Sequence, residues 1–519
     1  MGQVWRGLVA AALLGGGLLE MTGQASPAKA GTGAGHGAVR EMSGPAQPPV
    51  CVGDATVALE RFLASYVEDL RNLYVQRSFD ASALDPVVYG DLTPGAFHTA
   101  ASTLVGLQGE AMFLVQHVGD AWLCAFGWVS GPLDGAEDGQ FGRPEGEVRF
   151  FYARRPVERA DLLADARAAV ESLASRVPLG EARSSRLPAE QAAAQEVTRG
   201  AVALQAGPAE PDATGHLARL GAHFEMPEIT RALAQTRHLT LHLPGELALL
   251  PLLALPLDGQ QPLVETHSVT GMDRLTSLLS LPGLNAVPGI AIDRSGNHVT
   301  RALADYELRL MLWSGQGERG RAVFGDPGGF DSDAYGGLIF PPLPGARREA
   351  EWLAGRLDAE LVIGQAATGG RLLSALQSTS LVHFAGHGVA SAEAPLDDSY
   401  LVMADGPLTA REIQDQMLPA PLVILSACDT GRGQALGAGV IGLARAFQKA
   451  GALGTVLSHW PVSDESAVPL MLAFHDELER HTPPQALRHA ALRLREDYPD
   501  PADWAAFGYF GTPLVAQSQ

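Results

Sequence analysis

Leu381-Val382-His383-Phe384-Ala385-Gly386-His387-Gly388 and Leu422-Val423-Ile424-Leu425-Ser426-Ala427-Cys428-Asp429-Thr430-Gly431 are the stretches that decide the fold. Each opens as a short, almost unbroken apolar run, the pattern of a strand buried on both faces of a parallel sheet. The interval between them is long enough for the crossover that two parallel strands require. Open α/β sheets gather their sites beyond the carboxyl ends of their strands. The pattern therefore predicts an imidazole, His387, and a thiol, Cys428, on one sheet edge.

The neighbours of the pair have physical uses. Gly386 and Gly388 permit backbone angles and close approach that a side chain forbids, and the Gly388 amide can point at a developing oxyanion. Asp429-Thr430-Gly431 and the small residues after it put the thiol on a tight turn ahead of a helix, where backbone amides lower its pKa. A lone thiol after a strand is by default buried and inert; the upstream His-Gly and the downstream Asp-Thr-Gly favour a nucleophile. His383 and His387 are four apart, but without the Glu of a zinc-peptidase helix they do not predict a metal pair, and His383 reads either as a histidine that supports the site from behind or as a core histidine.

The segment from about residue 196 to 516 resembles the CHAT domain, a caspase-like and separase-like group of bacterial cysteine peptidases. The resemblance rests on blocks in order: Leu243-Pro244-Gly245-Glu246-Leu247 with Leu250-Pro251-Leu252-Leu253-Ala254-Leu255 as an opening strand and turn, Val264-Glu265-Thr266-His267-Ser268-Val269 as an edge segment, and Leu343-Pro344-Gly345-Ala346-Arg347-Arg348-Glu349-Ala350 as a helix start. The His387 and Cys428 blocks follow, then Gly437 to Gly454 as a glycine and alanine helix, Ser458-His459-Trp460-Pro461-Val462-Ser463-Asp464, and Trp504-Ala505-Ala506-Phe507.

The resemblance implies an α/β fold, a caspase-like mostly parallel sheet flanked by helices. It implies a cysteine endopeptidase acting on protein or peptide substrates, with His387 as general base and Cys428 as nucleophile. The backbone amides of Gly388 and Cys428 would form the oxyanion hole, and Asp464 would recognise a basic residue before the scissile bond. No metal or organic cofactor is implied. The enzyme is expected to stay latent until an activating protein or a cleavage orders its loops, with the glycine-rich Gly325 to Gly337 loop as the mobile element. The alternative is a catalytically silent caspase-like scaffold. A Gly-x-Ser-x-Gly elbow, which would point to another hydrolase class, is missing from the sequence.

Composition sets limits. The chain has 519 residues, 46% hydrophobic and 18% charged, which is globular and long enough for more than one domain. A net charge of −21 argues against a nucleic-acid partner, since nothing neutralises phosphates. Residues 1–30 read as a secretory signal: Arg6, an apolar run from Gly7 to Leu19 too short to span a bilayer, and Ala28-Lys29-Ala30 as a small-x-small cleavage site. That places the protein outside the cytoplasm, without a stable membrane span once the signal is removed; a later start at Met21 or Met42 would leave it cytoplasmic.

Residues 31–50, rich in Gly, Ala and Pro, form a flexible linker. Residues 51–195 form a smaller α+β region of unknown role. Within it, Val57 to Val75 is an amphipathic helix, Ala111 to Val115, Ala121 to Val129 and Val148 to Tyr152 are strands with a Gly119-Asp120 turn, and Ala160 to Ser175 is a second helix. Cys51, Cys124 and Cys428 make an odd count: Cys51 and Cys124 can pair and leave Cys428 free, whereas Cys124 can equally be a buried apolar residue, the commoner state of a cysteine in an apolar run. No 34-residue helical repeat is found. Between the catalytic candidates, Tyr400 to Met403 is a strand, and Thr409-Ala410-Arg411-Glu412 is a capping box opening a helix to about Gln416.

Overall fold

Strands β6 (Arg321–Pro327), β8 (Leu381–Gly386), β12 (Leu422–Ala427) and β15 (Gly454–Ser458) lie side by side and parallel toward one end of an eleven-stranded sheet. Every residue of β8, β12 and β15 is buried, as their continuous apolar runs require of strands covered on both faces. A computed structural model of the chain describes residues 57–66, 111–118, 121–130, 148–176, 213–257, 261–272, 319–427 and 433–512, apart from positions 331, 339, 341, 437 and 438, with a few positions between 95 and 105. All of these belong to one compact unit, Pro49–Gln519. The signal and linker expected over residues 1–50, and the Gly119-Asp120 turn, lie outside the described residues.

In chain order, helix α1 (residues 57–66) precedes β1 (Ala111–Val118), β2 (Trp122–Ser130), β3 (Val148–Pro156) and α2 (Arg159–Ala174). Helices α3 (Ala213–Ala222) and α4 (Pro227–Leu233) lead to β4 (His238–His242) and β5 (Ser268–Gly271). After β6 come α5 (Pro344–Leu357), β7 (Glu360–Gly364) and α6 (Gly369–Ser378), then β8, β9 (Gly388–Val389), β10 (Tyr400–Met403), β11 (Gly406–Thr409) and α7 (Ala410–Gln414). Past β12 lie β13 (Gly433–Leu436), β14 (Gly439–Gly442), α8 (Leu443–Ala450), β15, α9 (Asp464–Glu477), α10 (Pro483–Asp497), α11 (Pro501–Trp504) and β16 (Phe507–Gly511).

The sheet order is β3-β2-β1-β4-β5-β16-β15-β12-β8-β6-β7. The pairs β1–β2, β2–β3 and β15–β16 are antiparallel and the other seven parallel, so the sheet is the mostly parallel α/β architecture that the sequence implies. The amino-terminal strands are continuous with it: β1 pairs in parallel with β4, Phe113 opposite Leu241.

Alternation along β6 shows how the two faces are filled. Val323 enters a cluster with Ala350, Leu353, Ala354 and Leu357 of α5, while Ala322 and Phe324 join the main core on the other face. The capping box forms as predicted: the Thr409 side chain accepts from the Glu412 amide, and Glu412 accepts from the Thr409 amide at 2.9 Å.

Three expectations are corrected. The helix expected from Gly437 to Gly454 is only Leu443–Ala450; Val440 and Ile441, β-branched between glycines, pair instead with Ala435 and Gln434 as a β-ribbon. The Val264 to Val269 block is not an edge, since β5 sits between β4 and β16. Cys124 is fully buried but also disulfide-bonded, so it is no simple apolar residue; its partner lies outside the described residues.

Candidate active site

Gly386 and Ala427 are register partners across β8 and β12, at the carboxyl ends of adjacent parallel strands. His387 leaves β8 one residue later. Cys428 follows Ala427 in sequence and lies outside the described residues, as does the share of the oxyanion hole expected from its amide. Gly386 is required by close approach: a Cβ there would lie 2.7 Å from the Phe384 ring and 3.1 Å from Pro327.

His387 is only 2% exposed. Its carbonyl accepts from the Val402 amide at 3.0 Å, and Gly388, opening β9, pairs with Leu401 of β10, so a small antiparallel sheet holds the histidine turn. The imidazole lies against Phe340, ring centroids 5.4 Å apart, and Phe340 packs edge-on to Tyr335 at 5.1 Å and Phe330 at 5.9 Å. Tyr335 clamps β10: its hydroxyl donates to the Met403 carbonyl at 2.6 Å and accepts from the Met403 amide at 2.9 Å. Burial raises the Tyr335 pKa and, with Asp398 nearby, pushes that of Tyr400 up to about 12, so both phenols are neutral at physiological pH. Phe340, three residues beyond the Gly325 to Gly337 loop and packed on Phe330 and Tyr335 from within it, thus covers His387.

Across β12, Ser458 at the end of β15 donates from Oγ to the Ala427 carbonyl at 2.6 Å. Asp464, six residues on, opens α9 behind the Ser463 cap, whose hydroxyl accepts from the Ser466 amide at 3.3 Å. The Asp464 carboxylate packs on the bare Cα of Gly345 at the start of α5; a Cβ on Gly345 would fall 1.6 Å from Oδ2. One acid therefore stands near two helix amino termini, where the dipoles favour negative charge. Asp326, at positive φ of 43° near the end of β6, caps α5 in turn, accepting from the Leu343 amide at 2.8 Å and from Arg347 Nε at 3.0 Å.

His383 is the core histidine that the sequence suggests, and it carries more than packing. Its Nε2 lies 2.8 Å from Glu349 Oε1 and its Nδ1 3.0 Å from His475 Nε2, and all three side chains are at most 1% exposed. With Glu349 as acceptor, protons run from His475 to His383 to Glu349, which ties α9, β8 and α5 beneath the site. Burial first, then His383 and Arg321, hold the His475 pKa well below its ordinary value, so that imidazole is neutral.

Sequence reasoning missed Phe340, Asp326, and the joint role of Glu349 and His475. One signal was available: Glu349 lies three residues from Ala346 on the buried stripe of α5 that continues through Ala350, Leu353 and Leu357, a place an acid occupies only with a partner. His475 and Phe340 gave none, because their partners are distant in sequence.

Residues 215–512, more than half of the chain, match the family model described as the CHAT domain. Tetratricopeptide repeat protein 28 of Homo sapiens is 25% identical over 354 residues, covering 59% of this chain, and its Mus musculus counterpart is 25% identical over 237 residues, covering 38%. The chain spans only 14% and 10% of the length of these two curated relatives. Among solved structures, the Saccharomyces cerevisiae separase–securin complex at 2.6 Å superposes with a TM-score of 0.47 and 10% identity, covering 90% of this chain and 34% of that one. The Arg-specific cysteine proteinase gingipain R gives a TM-score of 0.34 and 12% identity, covering 60% and 69%.

Proposed function

The chain belongs to the CHAT domain family, and we propose that it is a cysteine endopeptidase in which His387 and Cys428 form a catalytic dyad. The observation that carries this reading is the pairing of Gly386 with Ala427. Each candidate is one residue beyond that pair.

In the proposed reaction the Cys428 thiolate adds to a peptide carbonyl carbon, and the backbone amides of Gly388 and Cys428 hold the resulting oxyanion. The tetrahedral adduct collapses with cleavage of the C–N bond, and the His387 imidazolium gives its proton to the departing amine. Water, losing a proton to His387, then adds to the thioester, releasing the carboxylic acid and regenerating the thiol. Asp464 is assigned to the pocket for a basic residue before the scissile bond, supported by its place at the same sheet edge.

Latency belongs to the same proposal. His387 is 2% exposed beneath Phe340, so a substrate reaches it only after the aromatic cover shifts, and an activating protein is the agent we assign to that shift. Export is supported by the disulfide at Cys124, a bond that persists in oxidising compartments. Among the described residues no helix is long and apolar enough to cross a membrane.

A thiol-reactive acyl-peptide probe tests the dyad. It labels the wild type and spares Cys428→Ala, and His387→Ala slows labelling; absence of labelling under every activating condition would instead identify a silent scaffold. A peptide-library cleavage profile tests the pocket, which is refuted if Asp464→Ala keeps an unchanged preference for basic residues.

A further inference from the structure

Away from the dyad, Glu477, His481 and His489 form a second cluster of donors. Glu477 ends α9, His481 lies in the turn after it, and His489 is in the second turn of α10. One ligand atom from each lies within 4.8 Å of the other two. Glu477 Oε2 and His481 Nε2 are 3.4 Å apart, and the two imidazoles stack with centroids 4.3 Å apart at 14°.

We propose that these three side chains bind one divalent transition metal ion of the zinc class. Two imidazoles and one carboxylate are a donor set that suits such ions, and three protein ligands leave a position for water or an anion. Tetrahedral ligation at about 2.0–2.1 Å holds donors about 3.4 Å apart, so no pair needs a closure of more than about 1.4 Å. Rotation of the rings about χ2, a broad torsion, provides it.

The backbone around the cluster is already fixed. The Thr482 amide donates to Gln485 Oε1 at 3.1 Å, and Pro483 and Pro484 open α10. Arg488, the cation next to His489 in sequence, is committed elsewhere, donating to the Val264 and Glu265 carbonyls at 2.8 and 2.7 Å. His489 also lines a cavity of about 400 Å³ together with Arg237, Arg488, Ser268 and Gln485, so the room beside His489 is bordered by two guanidinium groups and would suit an anion as the fourth ligand. A bound ion would clamp the α9–α10 hairpin at the end opposite Asp464.

The competing account is an i,i+4 contact between Glu477 and His481 beside two stacked imidazole rings, which binds no metal. Cobalt titration of full-length protein carrying Cys428→Ala, which removes the thiol as a ligand, separates the two. The expected result is one equivalent bound with the visible absorption of four-coordinate cobalt, displaced by zinc. His481→Gln, His489→Gln and Glu477→Gln each weaken binding by about tenfold or more, while His216→Ala on α3 leaves it unchanged. The glutamines keep polarity and shape at partly exposed positions, and circular dichroism verifies their fold. Absence of saturable binding, or affinity unchanged in all three glutamine variants, overturns the proposal.

Discussion

Ser458 Oγ donates a 2.6 Å hydrogen bond to the carbonyl oxygen of Ala427, the residue bonded to Cys428. Both residues are fully buried, so no water replaces the donor when it is removed. Ser458→Ala is expected to lower unfolding free energy by about 1 kcal/mol, measured by urea titration. It should also slow probe labelling at Cys428 by about tenfold, because a carbonyl that loses its anchor misplaces the next residue. A Ser458→Ala protein with the lost stability but an unaltered labelling rate would show that this bond does not position the thiol.

Phe340 is 5% exposed and shields the imidazole of His387. Phe340→Leu keeps apolar volume but removes the flat ring, so the cover over His387 opens. The expected outcome is faster labelling of the unactivated protein at a cost to stability of about 1 kcal/mol. If the cover is not the block, the labelling rate stays at the wild-type level while thermal stability falls.

Strands β8 and β12 were legible because burial on both faces writes itself into sequence as an unbroken apolar run, as in Leu422 to Ala427. The order of β8 and β12 followed from the need for a crossover between parallel strands. The β-ribbon at Val440 and Ile441 was misread because small residues around it share composition with a tightly packed helix; only pairing with Gln434 and Ala435 decides between them. Near the site, the turn at His387 between β8 and β9 was legible from its glycine neighbours. The Phe340 cover was not, since forty-odd residues of chain intervene and nothing in a ring's sequence context says what it will face. The Glu349–His383–His475 relay joins two helices and a strand, a relation that no single-segment pattern encodes.

Acid sensitivity follows from the buried histidines. Burial is the main cause that lowers the pKa values of His238, His242 and His267 to about 4, and it lowers that of His475 as well. Their folded-state values lie below the unfolded value of about 6.5, so on acidification the unfolded chain takes up protons that the native protein refuses. The stability they confer is complete above about pH 6.5 and is lost as pH falls from there toward 4. Urea midpoints measured at pH 7.5, 6 and 5 should therefore decline. A midpoint flat across that range would mean that these imidazoles take up protons in the folded protein as readily as in the unfolded chain.

Gly345 and Asp464 are predicted to be energetically coupled. A methyl group at 345 would land 1.6 Å from Asp464 Oδ2 and 2.0 Å from Cγ, a distance at which the carboxylate must leave the start of α5. Alanine is otherwise the better helix former, so its intrinsic preference favours the substitution and the clash alone opposes it. Gly345→Ala is expected to destabilise by about 1–3 kcal/mol, the range for overpacking. Asp464→Ala removes the atoms nearest the new methyl, leaving its own Cβ at 2.7 Å, so the double variant should lose less than the sum of the two single changes. Strict additivity in a urea-denaturation double-mutant cycle would place the Asp464 carboxylate away from Gly345. Because Asp464 is also the proposed pocket acid, Gly345→Ala should alter the preference for basic residues in the cleavage profile. That shift would tie the helix start to substrate choice.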